Sequence, residues 1–176
     1  MKKIMLLAAI AVFGVSNVNA QSQFGVMAGY TNITAKVSFE GNSISGDESG
    51  FFIGGVADFE ISDKFHIQPE VLYASANDVS FLYIPVLAKY MVSEEFGILV
   101  GPQGNLSLEE AEDGVNSFGI DLTFGANYKI TQNFFLEARY GFEITNRYSK
   151  SGDFDLDGGD LKGTINTLHI GVGYMF

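Results

Sequence analysis

The last ten residues, Thr167-Leu168-His169-Ile170-Gly171-Val172-Gly173-Tyr174-Met175-Phe176, decide how the rest of the chain is read. Leu168, Ile170, Val172, Tyr174 and Phe176 fall on one phase of a two-residue period, and Thr167, His169, Gly171 and Gly173 on the other. Successive side chains of a strand point to opposite faces, so the segment predicts a β-strand with one greasy face. The pattern recurs upstream. Leu136, Ala138, Tyr140, Phe142 and Ile144 alternate with Glu137, Arg139, Gly141, Glu143 and Thr145. Ile120, Leu122, Phe124 and Ala126 alternate with Asp121, Thr123, Gly125 and Asn127. Carried backward, the rule predicts eight segments at residues 23–36, 50–61, 65–75, 80–92, 96–108, 117–130, 134–147 and 163–176.

Alternation alone does not say which face meets which medium, because a soluble sandwich alternates too. The charges discriminate. Asp58, Glu60, Glu70, Lys89, Asp121, Lys129, Glu137, Arg139, Glu143 and Arg147 all share the phase opposite the greasy one, whose central stretches carry no charge. Lipid penalises ions on an outer face, whereas a narrow lumen lets them pair. The expected fold is therefore all-β: an eight-stranded antiparallel up-and-down transmembrane β-barrel.

Composition agrees with one packed domain. The chain has 176 residues, 47% hydrophobic and 18% charged, too apolar for a solvated polymer. With no cysteine, disulfide frameworks, thiolate metal sites, cysteine nucleophiles and a lipidated N-terminal thiol are all excluded. A formal charge of −11 argues against nonspecific nucleic-acid binding, which needs a basic surface. Lys2 and Lys3 followed by an apolar run from Ile4 to Val15 and a close at Val18-Asn19-Ala20 predict a secretory signal peptide over 1–20, leaving a barrel domain at 21–176. The run is too short for a transmembrane helix, which needs ~20 residues.

Connection lengths give an independent check. Ile61-Ser62-Asp63-Lys64-Phe65, Val92-Ser93-Glu94-Glu95-Phe96 and Ile130-Thr131-Gln132-Asn133-Phe134 share one formula: apolar, hydroxyl, two polar residues, phenylalanine. These predict tight hairpins alternating with connections at 37–49, 76–79, 109–116 and 148–162, of which 76–79 is short. Outer-membrane barrels place tight turns at the periplasm and long loops outside. Phe24, Phe59, Phe65, Tyr90, Phe96, Tyr128, Phe134 and Tyr174, one per strand near the turn end, predict an aromatic belt at one membrane interface. Pro69, Pro85 and Pro102 fall inside proposed strands, where bulges or breaks in the ladder are expected.

Gln68-Pro69-Glu70 with Leu72-Tyr73, Ile84-Pro85-Val86-Leu87-Ala88-Lys89-Tyr90, Gly101-Pro102-Gln103 and terminal Phe176 resemble the outer-membrane β-barrel domain family common in Bacteroidetes, often called porin-family or PorT-like, with the build of OmpX and OmpA barrels. The resemblance covers the whole chain after residue 20. It implies that the prolines are tolerated, and that Phe176, with Tyr174 and Val172 on its face, is read by the outer-membrane assembly machinery. It implies a fold more than an activity.

The residues offer little chemistry. His66 and His169 lie on the lumen phase at different depths, and a lumen histidine hydrogen-bonded to its neighbours is the plain expectation. Glu70, Glu137, Glu143 and Asp121 with Lys89, Arg139 and Arg147 are expected to form a pairing network, since an eight-stranded lumen is just wide enough for side chains to fill. Asp153-Phe154-Asp155-Leu156-Asp157-Gly158-Gly159-Asp160 matches the opening half of a calcium loop. Its closing glutamate is replaced by Thr164, so Asp153, Asp155, Asp157 and Asp160 form a weak metal candidate, and no other cofactor is expected. The four connections at that end, counting Asp78 in the short one, hold twelve acidic residues against Lys150 and Lys162, with Lys36 at the border of the first, a surface suited to a basic or cationic partner outside the cell.

The leading expectation is a non-enzymatic, monomeric outer-membrane barrel, surrounded by lipid, with a structural or surface-interaction role through its acidic loops. A narrow solute channel and a soluble lipocalin-like binder of an apolar ligand are the alternatives.

Overall fold

A computed structural model describes residues 22–39, 42–77, 79–109, 115–147 and 162–176. The signal segment and the calcium-like loop, with Asp153, Asp155, Asp157 and Asp160, lie outside these residues. The described residues form eight strands: β1 (Ser22–Phe39), β2 (Asn42–Ser62), β3 (Phe65–Ala76), β4 (Val79–Met91), β5 (Phe96–Ser107), β6 (Phe118–Lys129), β7 (Phe134–Glu143) and β8 (Lys162–Met175). Each pairs antiparallel with its neighbours in sequence, and β1 closes onto β8 from Gly25 opposite Met175 to Ser38 opposite Lys162.

The repeated turn formula has a physical cause. The hydroxyl in its second position accepts the amide of the phenylalanine three residues on: Ser62 from Phe65 at 3.3 Å, Ser93 from Phe96 at 3.1 Å and Thr131 from Phe134 at 3.0 Å. Such local bonds hold a tight turn where the ladder ends. At the other end of the barrel, Asn77 turns the chain between β3 and β4 with φ 47°, a left-handed conformation that asparagine tolerates better than most residues.

Burial runs inside out. Lys89, Arg139 and Glu70 are 1%, 2% and 2% exposed, whereas Ile170, Val172 and Phe124 are 48%, 46% and 47% exposed. The uncharged phase faces outward along the wall and the ionised phase fills the lumen. Ring pairs Phe65–Tyr90 and Phe134–Tyr174, at 5.1 and 4.9 Å, lie in the outward belt near the turns. Phe59 departs from its exposed companions: it packs edge-on against Phe24 and is almost wholly covered.

The prolines interrupt the ladder without shifting it. Pairing of β2 with β3 stops at Val56–Glu70 and resumes at Phe59–Ile67, opposite Pro69. That of β3 with β4 skips from Pro69–Val86 to Leu72–Tyr83, passing Pro85, and that of β4 with β5 skips from Pro85–Gln103 to Ala88–Val100, passing Pro102. None of the three strands becomes a sheet edge. Among the described residues the one register shift lies elsewhere, between Glu60 and Ser62.

Two stretches differ from the sequence reading by more than a residue or two. Residues 37–39 and 42–49, expected as a loop, extend β1 and β2, with Phe39 opposite Asn42. Screening for an uncharged face finds only the part of a strand that lipid touches; beyond it the ladder is held by its backbone and by polar pairs such as Ser38–Ser43 at 2.9 Å and Tyr30–Ser49 at 2.7 Å. β7 ends at Glu143 rather than 147; beyond it the backbone keeps single bonds to both sides, from Ile144 N to the Ile120 carbonyl and from Arg147 N to the Gly163 carbonyl, while Arg147 Nε bonds back to Glu143.

The closure seam is narrow. Gly29 lies opposite Gly171, and a Cβ on Gly29 would collide with the carbonyl oxygen of Ile170 and the Cα of Gly171. A Cβ on Gly171 would sit 2.6 Å from both the Ala28 carbonyl oxygen and the Phe52 ring. Gly29→Val should therefore lower stability by at least ~1–3 kcal/mol, the usual cost of overpacking, and reduce the folded fraction in refolding assays followed by gel mobility. Unchanged refolding would mean that the seam has slack.

Candidate functional site in the barrel lumen

Alternation places one side chain in two inside the wall, and the stagger of neighbouring strands brings distant residues to one level. Nearest the turns, Asp58 on β2 accepts the His66 Nδ1 hydrogen at 2.7 Å and a bond from Lys89 Nζ. Beside this group a recess lined by Asp58, Lys89, Asn127, Lys129 and Phe135 holds about 10 Å³ of free volume, on the order of one water molecule.

In the middle, Arg139 Nη1 donates to Glu70 at 2.6 Å and to Glu137 at 2.7 Å. Gln68 Nε2 donates to the same two carboxylates, at 2.8 Å each, and Asn127 adds a bond to Glu137 at 3.2 Å. Toward the loops, Asp121 accepts from Gln103 at 2.7 Å and from Asn105. Arg147 Nε donates to Glu143 at 2.8 Å, and its Nη1 reaches the Ser117 carbonyl at 2.9 Å. Glycine makes room for these long side chains: a Cβ on Gly141 would lie 2.9 Å from Thr167 Oγ1, and one on Gly119 would strike the Glu143 carboxylate.

The lumen also holds an apolar cluster: Met27, Ile33, Phe52, Val56, Leu72, Phe81 and Tyr83 from β1 to β4 pack with Phe135 of β7 and Met175 of β8. His169 borders this cluster. Both of its ring nitrogens lack a protein hydrogen-bond partner, and the ring meets Phe52 and Tyr83 edge-on at 5.0 Å each. The expectation of a hydrogen-bonded histidine holds for His66 and fails for His169, whose neighbours are aromatic rings.

The expected pairing network is present, with a different partition. Lys89 pairs with Asp58 rather than with the acids of the middle level. Arg139 serves Glu70 and Glu137, Arg147 serves Glu143, and Asp121 relies on amides. Sequence reasoning missed Gln68, Gln103, Asn105 and Asn127, because it searched for charge alone. Their lumen phase was the available signal. Among the described residues no three His, Asp or Glu side chains converge as a metal site.

A family model for the outer membrane protein beta-barrel domain matches residues 5–176. The chain belongs to this family. Its compartment is the outer membrane, and the strands, with their apolar phase outward, are what crosses it. Among solved structures, neisserial surface protein A is similar at 19% identity and a TM-score of 0.51, over 87% of this chain and 97% of that one. Ail, the attachment invasion locus protein of Yersinia pestis, crystallised with the heparin analogue sucrose octasulfate, is similar at 15% identity and a TM-score of 0.50, over 88% of this chain and 99% of that one. At such identities the likeness is one of fold. No curated protein matches the chain by sequence.

Proposed function

We propose that this family member is a non-enzymatic, membrane-anchored scaffold whose sealed body presents its loop end to the cell exterior, where it contacts a partner. The observation that carries this reading is the filled lumen. Interlocked ions and a packed apolar cluster together leave the body to hold the molecule in the membrane rather than to conduct. What remains to meet another molecule is the loop end, with the tall β1–β2 ladder and exposed Asp47 and Glu48.

Export by the segment at 1–20 and recognition of Phe176 by the assembly machinery fit this route to the membrane. Within the family, the proline-bearing segments quoted above favour the PorT-like branch common in Bacteroidetes.

Two measurements test the reading. Purified barrel added to planar bilayers should insert silently, and discrete conductance steps would overturn the scaffold in favour of a narrow channel. The chain has no cysteine, so Ile44→Cys supplies a single reporter. An impermeant maleimide should label it on intact cells; labelling only after lysis would reverse the orientation.

A further inference from the structure

Two lysines, Lys89 of β4 and Lys129 of β6, line the recess at the turn end. Lys89 is 1% exposed and bonds Asp58 through one of its three ammonium hydrogens. Lys129 is half-buried and stands opposite Phe135 on the lumen phase; among the described residues no carboxylate lies within ion-pair reach of it. Asp58 is the acid on the recess wall, and both of its oxygens are already taken, Oδ1 by His66 and Oδ2 by Lys89. Glu60, opposite His66 on the β2–β3 ladder, is not part of that wall. The wall therefore sets two cations against one anion.

The hydrogens left over belong to donors. Thr131 Oγ1, also on the wall, accepts the amides of Asn133 at 3.3 Å and Phe134 at 3.0 Å, so its own hydrogen is available to a further acceptor. Hydrogen bonds from ammonium and hydroxyl groups to an anion are the strong ones, and they strengthen further where water is scarce. Space limits what can enter: about 10 Å³ of free volume admits one water-sized atom, too little for the four oxygens of a phosphate. The rest of the floor is apolar, formed by Phe135 and Met175, which are 3% and 7% exposed. A bare ion would leave that part unused. A carboxylate would place one oxygen in the volume and lay a short carbon chain on the ring and the thioether.

We propose that the recess beside the β6–β7 turn binds a small monocarboxylate. One carboxylate oxygen is held by the ammonium groups of Lys89 and Lys129 and the Thr131 hydroxyl, and the short alkyl tail lies against Phe135 and Met175. The site goes beyond the scaffold reading: it is separate from the loop end and, in the orientation of that reading, opens to the periplasm.

The test uses the full folded chain in lipid nanodiscs and butyrate as the probe, followed by amide chemical shifts. Butyrate should bind saturably to the barrel and not to empty discs, shifting the amides of residues 129–135 and leaving those of the loop end unchanged. Butyramide, of the same shape without the charge, should bind about tenfold more weakly, the worth of a charge-assisted hydrogen bond. Lys129→Gln should cause a loss of about the same size, and Lys129→Arg should recover most of it. The proposal falls if butyramide binds as well as butyrate, if the shifts lie elsewhere, or if Lys129→Gln leaves the affinity of a folded barrel unchanged. It also falls if chloride at equal concentration displaces butyrate, which would make the recess a plain ion site. The butyrate, butyramide and chloride measurements use the unaltered protein, so they decide the matter even where a variant does not fold. A barrel that is silent in bilayers and labelled at the cell surface yet ignores butyrate would remove the site and leave the scaffold reading intact.

Discussion

Arg139→Ala is expected to destabilise the folded barrel by about 3–5 kcal/mol, the usual consequence of removing one partner from a buried ion pair. Arg139 is the cation bonded to both Glu70 and Glu137, and all three side chains are at most 1% exposed. Without the guanidinium, two carboxylates would share the Gln68 amide in a closed lumen, with Asn127 bonded to Glu137 alone. Protonating or hydrating them costs energy that the unfolded chain does not spend. Urea titration of barrels folded into lipid vesicles, scored by the mobility difference between folded and unfolded bands, measures the loss. Combining Arg139→Met with Glu70→Gln and Glu137→Gln should recover most of it, because replacing a whole buried ionic group by neutral residues is often neutral or better. A single alanine variant within about 1 kcal/mol of the parent would show that the middle of the lumen is wet enough to solvate the acids.

Ile170→Arg should cost about 2–4 kcal/mol in the same titration, the penalty of a cation near the midplane of a barrel's lipid face. Ile170 is 48% exposed on the outward phase of β8, flanked across the ladders by Tyr30 and Ala138. Arginine in place of Val37, near the loop end of β1, should stay within about 0.5 kcal/mol, since water takes up the charge there. Equal effects at the two sites would contradict the assignment of the apolar phase to hydrocarbon.

Both expectations depend on features of unequal legibility. The phase of every membrane-facing residue was readable because side-chain direction in a strand is set locally, with a period of two, and because lipid enforces an uncharged face over the length it touches. Tight turns were readable for the same kind of reason: a hydroxyl three residues before a phenylalanine makes its bond within one turn. The prolines were visible as breaks but not as a staircase. Their arrangement, with Pro69 beside Val86 and Pro85 beside Gln103, follows from the stagger of β3, β4 and β5. The extra height of β1 and β2 was hidden because polar strands above the membrane carry no alternating apolar signal. His169 was misread because phase places a residue in the lumen without saying which wall it faces.

Local chemistry in the chain thus determined the architecture: eight strands, a closed cylinder, an apolar skin and an ionised interior. Tertiary structure alone decided the pairings within that interior, since Arg139 and Glu70, 69 residues apart, meet only through the register of strands that are not neighbours in the sheet. Side-chain direction is a property of each residue and its two bonds, whereas register is a property of the whole closed sheet, which no single segment carries.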